Sequence, residues 1–123
     1  MLRGLRGATT APVNEREAVL KVTRELLIAM SKANAIKPAD IAAVIFSSTP
    51  DLNAAFPATA ARELGWSDVP LFGAQEIDCP TGVPLCVRVL ILLNTEKAQH
   101  ELQPVYLSGA TKLRPDLGAA KSH

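Results

Sequence analysis

The sequence predicts an α/β (α+β) fold in which one long and one short helix are set among strands. Three observations carry that prediction. Leu85 to Asn94 is a nearly unbroken run of Val, Ile and Leu with one arginine, Arg88, inside it; such a run fits a strand covered on both faces. Ile41 to Phe46 is a second apolar run of strand length. Ala18, Val19, Val22, Leu26, Ala29, Met30 and Ala33 recur at helical spacing, the stripe of a helix with one buried face.

Taken in order, residues 2 to 10 read as a first strand punctuated by glycine. Side chains alternate along a strand, so Arg3 and Arg6 point to opposite faces and at most one lines a given pocket. In the long helix, Asn14 and Glu17 resemble a capping box, and Met30 is core. Asn34 and the Lys37-Pro38 step end it, because a residue before proline avoids helical dihedrals. After Ile41 to Phe46, the polar exit Ser47 to Asp51 is the kind of loop where sites sit. Phe56-Pro57 begins the short helix with proline at its first position, and Gly65 stops it. Leu71 to Asp78 is a third strand candidate, with Glu76 and Asp78 on one face. A turn from Cys79 to Pro84 leads into the long strand, and Val105-Tyr106-Leu107 is a short last strand. A single domain reaches residue 117, and residues 118–123 read as a flexible tail.

The composition narrows the function. With 48% hydrophobic and only 4% aromatic residues, the chain builds an aliphatic core and has few bases for stacking nucleobases. A formal charge of +1 supplies no general field for nucleic acid or an anionic membrane, so any anion site is local. Two cysteines, Cys79 and Cys86, have no metal-ligand spacing and form no disulfide framework; a reducing cytoplasm is the expected location. No signal-peptide h-region or membrane-spanning run is present in these residues.

Two strands that read as buried on both faces need more cover than one long and one short helix supply. Self-association is therefore expected, with a site at the subunit boundary. Familiar catalytic patterns are missing: there is no GxSxG, Walker loop, HExxH or dinucleotide fingerprint, and His100 and His123 sit in polar or terminal positions. What remains is a set of charges on strands, Arg6, Glu76 and Arg88, with Tyr106 as a hydroxyl and Arg62 and Arg114 on segments that read as mobile. Spacing alone leaves two readings open. Arg88 and Glu76 form a structural ion pair, or the arginines hold the carboxylates of a small anion while Glu76 meets a hydroxyl or a developing positive charge.

Over essentially its whole length the sequence resembles the AroH-class chorismate mutases, the trimeric α/β type. The matching segments include Arg3-Gly4-Leu5-Arg6-Gly7-Ala8-Thr9-Thr10, Ser48-Thr49-Pro50-Asp51-Leu52, Phe56-Pro57-Ala58 and Ala61-Arg62-Glu63-Leu64. Gln75-Glu76, Cys86-Val87-Arg88-Val89, Val105-Tyr106-Leu107 and Leu113-Arg114-Pro115-Asp116-Leu117 follow in order. The resemblance implies a pseudo-α/β-barrel of mixed sheet and helices, assembled as a homotrimer with interfacial active sites. It implies a cytoplasmic isomerase that converts chorismate to prephenate in aromatic amino acid biosynthesis, without metal or organic cofactor and without nucleic-acid or membrane partners.

By the same resemblance, Arg88 contacts the breaking ether oxygen and a carboxylate, Arg6 holds carboxylate, and Tyr106 hydrogen-bonds to it. Glu76 faces the ring hydroxyl across the substrate. Phe56, Ala58, Leu71, Phe72 and Leu113 are pocket walls, Arg62 stands near the mouth, and Arg114 belongs to a C-terminal segment that partly covers the site. Two positions depart from the best-known members: Gly73 stands for a cysteine and Thr59 for a lysine. Their loss implies weaker binding or slower capture of a dianion. The rival reading is a non-catalytic module of the same fold that binds or senses a dicarboxylate.

Overall fold

Residues 1–113 are described by the computed structural model of the chain. Five strands form one mixed sheet in the order β3-β2-β4-β1-β5. They are β1 (Leu2–Thr10), β2 (Ile41–Ser48), β3 (Leu71–Gln75), β4 (Cys86–Asn94) and β5 (Val105–Tyr106). The long apolar run becomes the central strand, β4, antiparallel to both β1 and β2. The outer pairs, β2 with β3 and β1 with β5, are parallel.

Helix α1 (Arg16–Asn34) covers one face of this sheet. Val44 and Phe46 of β2, Leu5 of β1, and Val87, Val89 and Ile91 of β4 are buried beneath it with Leu26, Leu27 and Met30. Gly7 lets helix and strand approach: a Cβ there would lie 2.4 Å from the Met30 sulfur. At the far end of α1, Ala35 takes a left-handed conformation. The buried Asn34 amide accepts a hydrogen bond from Gln103 N at 2.7 Å and donates to the Gln103 carbonyl at 3.0 Å. Helix α2 (Ala58–Glu63) packs beside α1, and Gly65 follows it at φ +88°.

Several expectations are corrected. Asn14 does not cap α1: Glu15 holds that position without a side-chain bond. Asn14 instead accepts from the amides of Asn53 and Ala54 and donates to Asn53 Oδ1, tying the helix start to the loop before α2. Pro57 is the N-cap of α2 and not its first helical residue. Strand β3 ends at Gln75, because the chain turns at Ile77 to Cys79 after one more bond, from Glu76 N to Ser48 O.

The most consequential correction concerns β4. Within one chain its odd-numbered face is covered, whereas on the even-numbered face only Cys86 is buried. Leu90 and Leu92 are partly buried, and Arg88 exposes 52% of its side chain. The arginine is therefore not sunk in an apolar interior; it stands on an open sheet face. Among the described residues no helix is long and apolar enough to cross a membrane.

Candidate active site

Register places the strand-borne charges on that open face. Residues opposite one another in a sheet share a face, and Ser47 of β2 and Ala8 of β1 flank Arg88 directly. Tyr106 of β5 lies beside Ala8. Arg6 lies beside Leu90, one step diagonally from Arg88. A 3-10 turn over Ser108–Lys112 folds across one end of the face, where Ala8, Cys86, Tyr106 and Ala110 form a small buried cluster with Leu113 packed against it. Gly109 N anchors this turn on Thr10 Oγ1.

Arg88 and Glu76 meet. The guanidinium Nε lies 2.7 Å from Glu76 Oε2 in an ion pair, and Ser47 Oγ donates to the same oxygen at 2.9 Å. Both terminal nitrogens of Arg88 and the second carboxylate oxygen of Glu76 make no hydrogen bond among the described residues. One atom of each group thus orients the pair, and the others face a cleft of about 540 Å³. The walls of that cleft are Thr49 to Asp51, Glu76 to Pro80, Gly82 to Pro84, Cys86, Arg88 and Leu113. The Tyr106 hydroxyl also makes no hydrogen bond among the described residues and is not buried.

The strand entering this cleft is held by a clasp. Leu85 adopts a left-handed φ of 50°, a strained conformation for a branched residue. Both carboxylate oxygens of Asp51 accept from Leu85 N, at 3.0 and 3.1 Å. Thr49 Oγ1 accepts from Cys86 N at 3.0 Å and donates to Asp51, while Thr49 N donates to Cys86 O. Two residues later the chain reaches Arg88, so the clasp sets where that guanidinium starts.

Thr49 and Pro50 also wall a second cleft, of about 810 Å³. Phe56, Ala58, Arg62, Leu71 and Gly73 line it, together with Arg16. The site residues expected from sequence therefore separate into two groups, one on each side of the Thr49–Pro50 wall.

Comparison with known proteins gives the family. A family model described as Chorismate mutase type I matches residues 2–117. The chain belongs to the chorismate mutase type I family. It is 48% identical over 122 residues to the chorismate mutase AroH of Thermus thermophilus, covering 98% of this chain and all (100%) of that one. It is 42% identical over 123 residues to the chorismate mutase AroH of Bacillus subtilis, covering 99% and 97% of the two chains. A chorismate mutase structure from Clostridium thermocellum superposes with a TM-score of 0.87 at 40% identity, over 89% of this chain and 97% of that one.

Within this family frame, some expected residues stand apart. Phe72 follows the Ile45 and Leu90 register onto the outer face, opposite to Leu71 and Gly73, because neighbours in a strand alternate. It is exposed and does not share their cleft. Thr59 sits half-buried on α2 and does not line the second cleft. Arg114 lies outside the described residues, as do His123 and the boundary at residue 117.

Sequence reasoning did not assign Ser47, Thr49 or Asp51 a part in the site, although the polar Ser47–Asp51 exit was the available signal. It gave no role to Arg16.

The two thiols differ. Burial pushes the Cys86 thiol up to about 11, against a smaller opposing pull from Arg88. The hydrogen bond with the Thr81 hydroxyl lowers the exposed Cys79 thiol below its ordinary value.

Proposed function

We propose that the family reaction runs in a composite site, completed when the two clefts of neighbouring copies face one another in a homotrimer. The chain is a chorismate mutase: it isomerises chorismate to prephenate, a step of aromatic amino acid biosynthesis. The rearrangement is pericyclic, so no proton transfer and no covalent enzyme intermediate is required. What accelerates it is charge placed where charge develops and a pose that brings the new carbon–carbon bond within reach.

The observation that carries the mechanism is the Arg88–Glu76 pair. As the ether bond lengthens, negative charge collects on the enolpyruvyl oxygen and the ring becomes relatively positive. Arg88, steadied through Nε, offers its terminal N–H groups to the oxygen. Glu76, steadied through Oε2, offers its second oxygen to the ring side. Because the pair is already in contact, Glu76 acts beside Arg88, not across the full width of the substrate. Arg6 and Tyr106, on the same sheet face, hold a carboxylate. Leu113 closes one wall, and Arg114 comes from the segment that follows it.

The neighbouring copy supplies Phe56, Ala58, Arg62, Leu71 and Gly73. What supports this division is the Thr49–Pro50 wall, which keeps those residues from meeting Arg88 within one chain. The open apolar rows of the outer face are the surface the copies cover. Phe72 belongs with them: it joins that contact beside Ile45 and Leu90. A cytoplasmic location fits the two free thiols.

Loss of chorismate absorbance in the ultraviolet tests the mechanism. Arg88→Ala should reduce kcat roughly a hundredfold to a thousandfold, the usual loss for one transition-state donor, while sedimentation of the assembly stays unchanged. Normal turnover by that variant would overturn the assignment.

A further inference from the structure

We propose that Arg16 captures the dianionic substrate and draws it into the arginine-lined half of the composite site. The inference rests on the composite-site reading and adds a residue to it. Arg16 is the first residue of α1 and lines the second cleft with Arg62. Among the described residues no carboxylate lines that cleft. Neither guanidinium makes a hydrogen bond or ion pair among the described residues, whereas Arg24, on the same helix, is paired with Glu63 at 3.1 Å.

The other cleft has the opposite sign. Asp51, Glu76 and Asp78 line it against a single Arg88. A substrate carrying two carboxylates meets repulsion from that side, and the attractive approach runs past Arg16 and Arg62. Charges of one sign along a cleft raise the arrival rate of the opposite charge, and salt screens the effect.

Helix physics points the same way. The positive end of a helix dipole disfavours a cation in the first turn. The chain places acids on either side, Glu15 and Glu17, yet an arginine between them. The helix dipole therefore does not account for an arginine at this position, and the cleft it lines offers a reason.

The test is steady-state kinetics with chorismate over a range of ionic strength, for wild type, Arg16→Gln and Arg16→Lys, together with thermal melting. Arg16→Gln should lower kcat/KM by about threefold to tenfold at low salt, with the loss on kcat/KM and not on kcat. The gap should narrow toward ~0.5 M salt, where a Debye length of about 4 Å suppresses steering from a distance. Arg16→Lys should stay near wild type. The Tm of Arg16→Gln should equal or exceed that of wild type, which a residue kept for structure would not show. An Arg16→Gln enzyme with wild-type kcat/KM and wild-type salt dependence would overturn the role, as would a parallel fall in Tm and kcat. Wild-type turnover separates the two levels: its absence overturns the assigned reaction, and its presence with a silent Arg16→Gln overturns Arg16 alone.

Discussion

Cys86 and Arg88 stand two residues apart on the same face of β4, and their surroundings make opposite demands. Cys86 lies under the Ser108–Lys112 turn, fully buried with Ala8 and Ala110, so its neutral form is favoured and its pKa rises to about 11. Arg88 stays at the cleft with its charge in use. The thiol shift has a consequence for stability. The folded pKa lies above the ordinary value of 9.0, so between these pH values the folded chain binds more protons than the unfolded chain. Stability from this group is complete below pH ~9 and falls as the pH rises toward ~11. Urea denaturation at pH 8 and pH 10.5 should show a larger loss for wild type than for Cys86→Ala; equal losses would remove Cys86 as the cause. Arg88 illustrates a different residue-scale point: a charge can be positioned by one ion-pair contact and still keep donors for a ligand.

At the scale of the element, β4 is useful because its start is fixed. The left-handed Leu85 would otherwise relax, at a cost on the order of 1–3 kcal/mol for holding it. Asp51 and Thr49 offset that strain by accepting from Leu85 N and Cys86 N. Thr49→Val keeps the shape and removes the hydroxyl, leaving Cys86 N–H without its acceptor. We expect a loss of about 1–2 kcal/mol in urea denaturation and a lower kcat with little change in KM, since the start of β4 carries Arg88 with it. Thr49→Ser should restore both quantities. A Thr49→Val enzyme with unchanged kcat would show that the clasp supports the strand without aiming the arginine.

The whole molecule leaves one sheet face unfinished. Ile45, Leu90 and Phe72 share a row on it, with Phe72 66% exposed and Ile45 36% exposed. Apolar rows of this kind beside a half-built anion site are what a symmetric assembly covers. Sedimentation should show a trimer for wild type. Ile45→Glu places a carboxylate in the contact and should give a smaller species that has lost turnover, because neither cleft then meets its complement. A fully active monomer would refute the composite site.

Much of this was legible in the chain itself. Hydrophobic periodicity located the long helix and the five strands, since period and length survive any packing. The charged types Arg6, Glu76 and Arg88 marked where an ion pair or an anion site would lie, because isolated charges on apolar strands need a reason. Alternation separated Arg3 from Arg6 before any register was known. Other features depended on contacts distant in sequence. Register alone brought Ser47 and Ala8 beside Arg88, and helix packing redirected Asn14 from capping to holding the Asn53 loop. Which face of β4 stays open follows from where α1 lies, and a two-sided apolar strand looks the same in sequence whether a helix or another copy covers it. The local pattern thus determined the elements and the chemistry available. Tertiary structure decided which atoms of Arg88 and Glu76 are in contact, and that one chain keeps its two clefts on opposite sides of the Thr49–Pro50 wall.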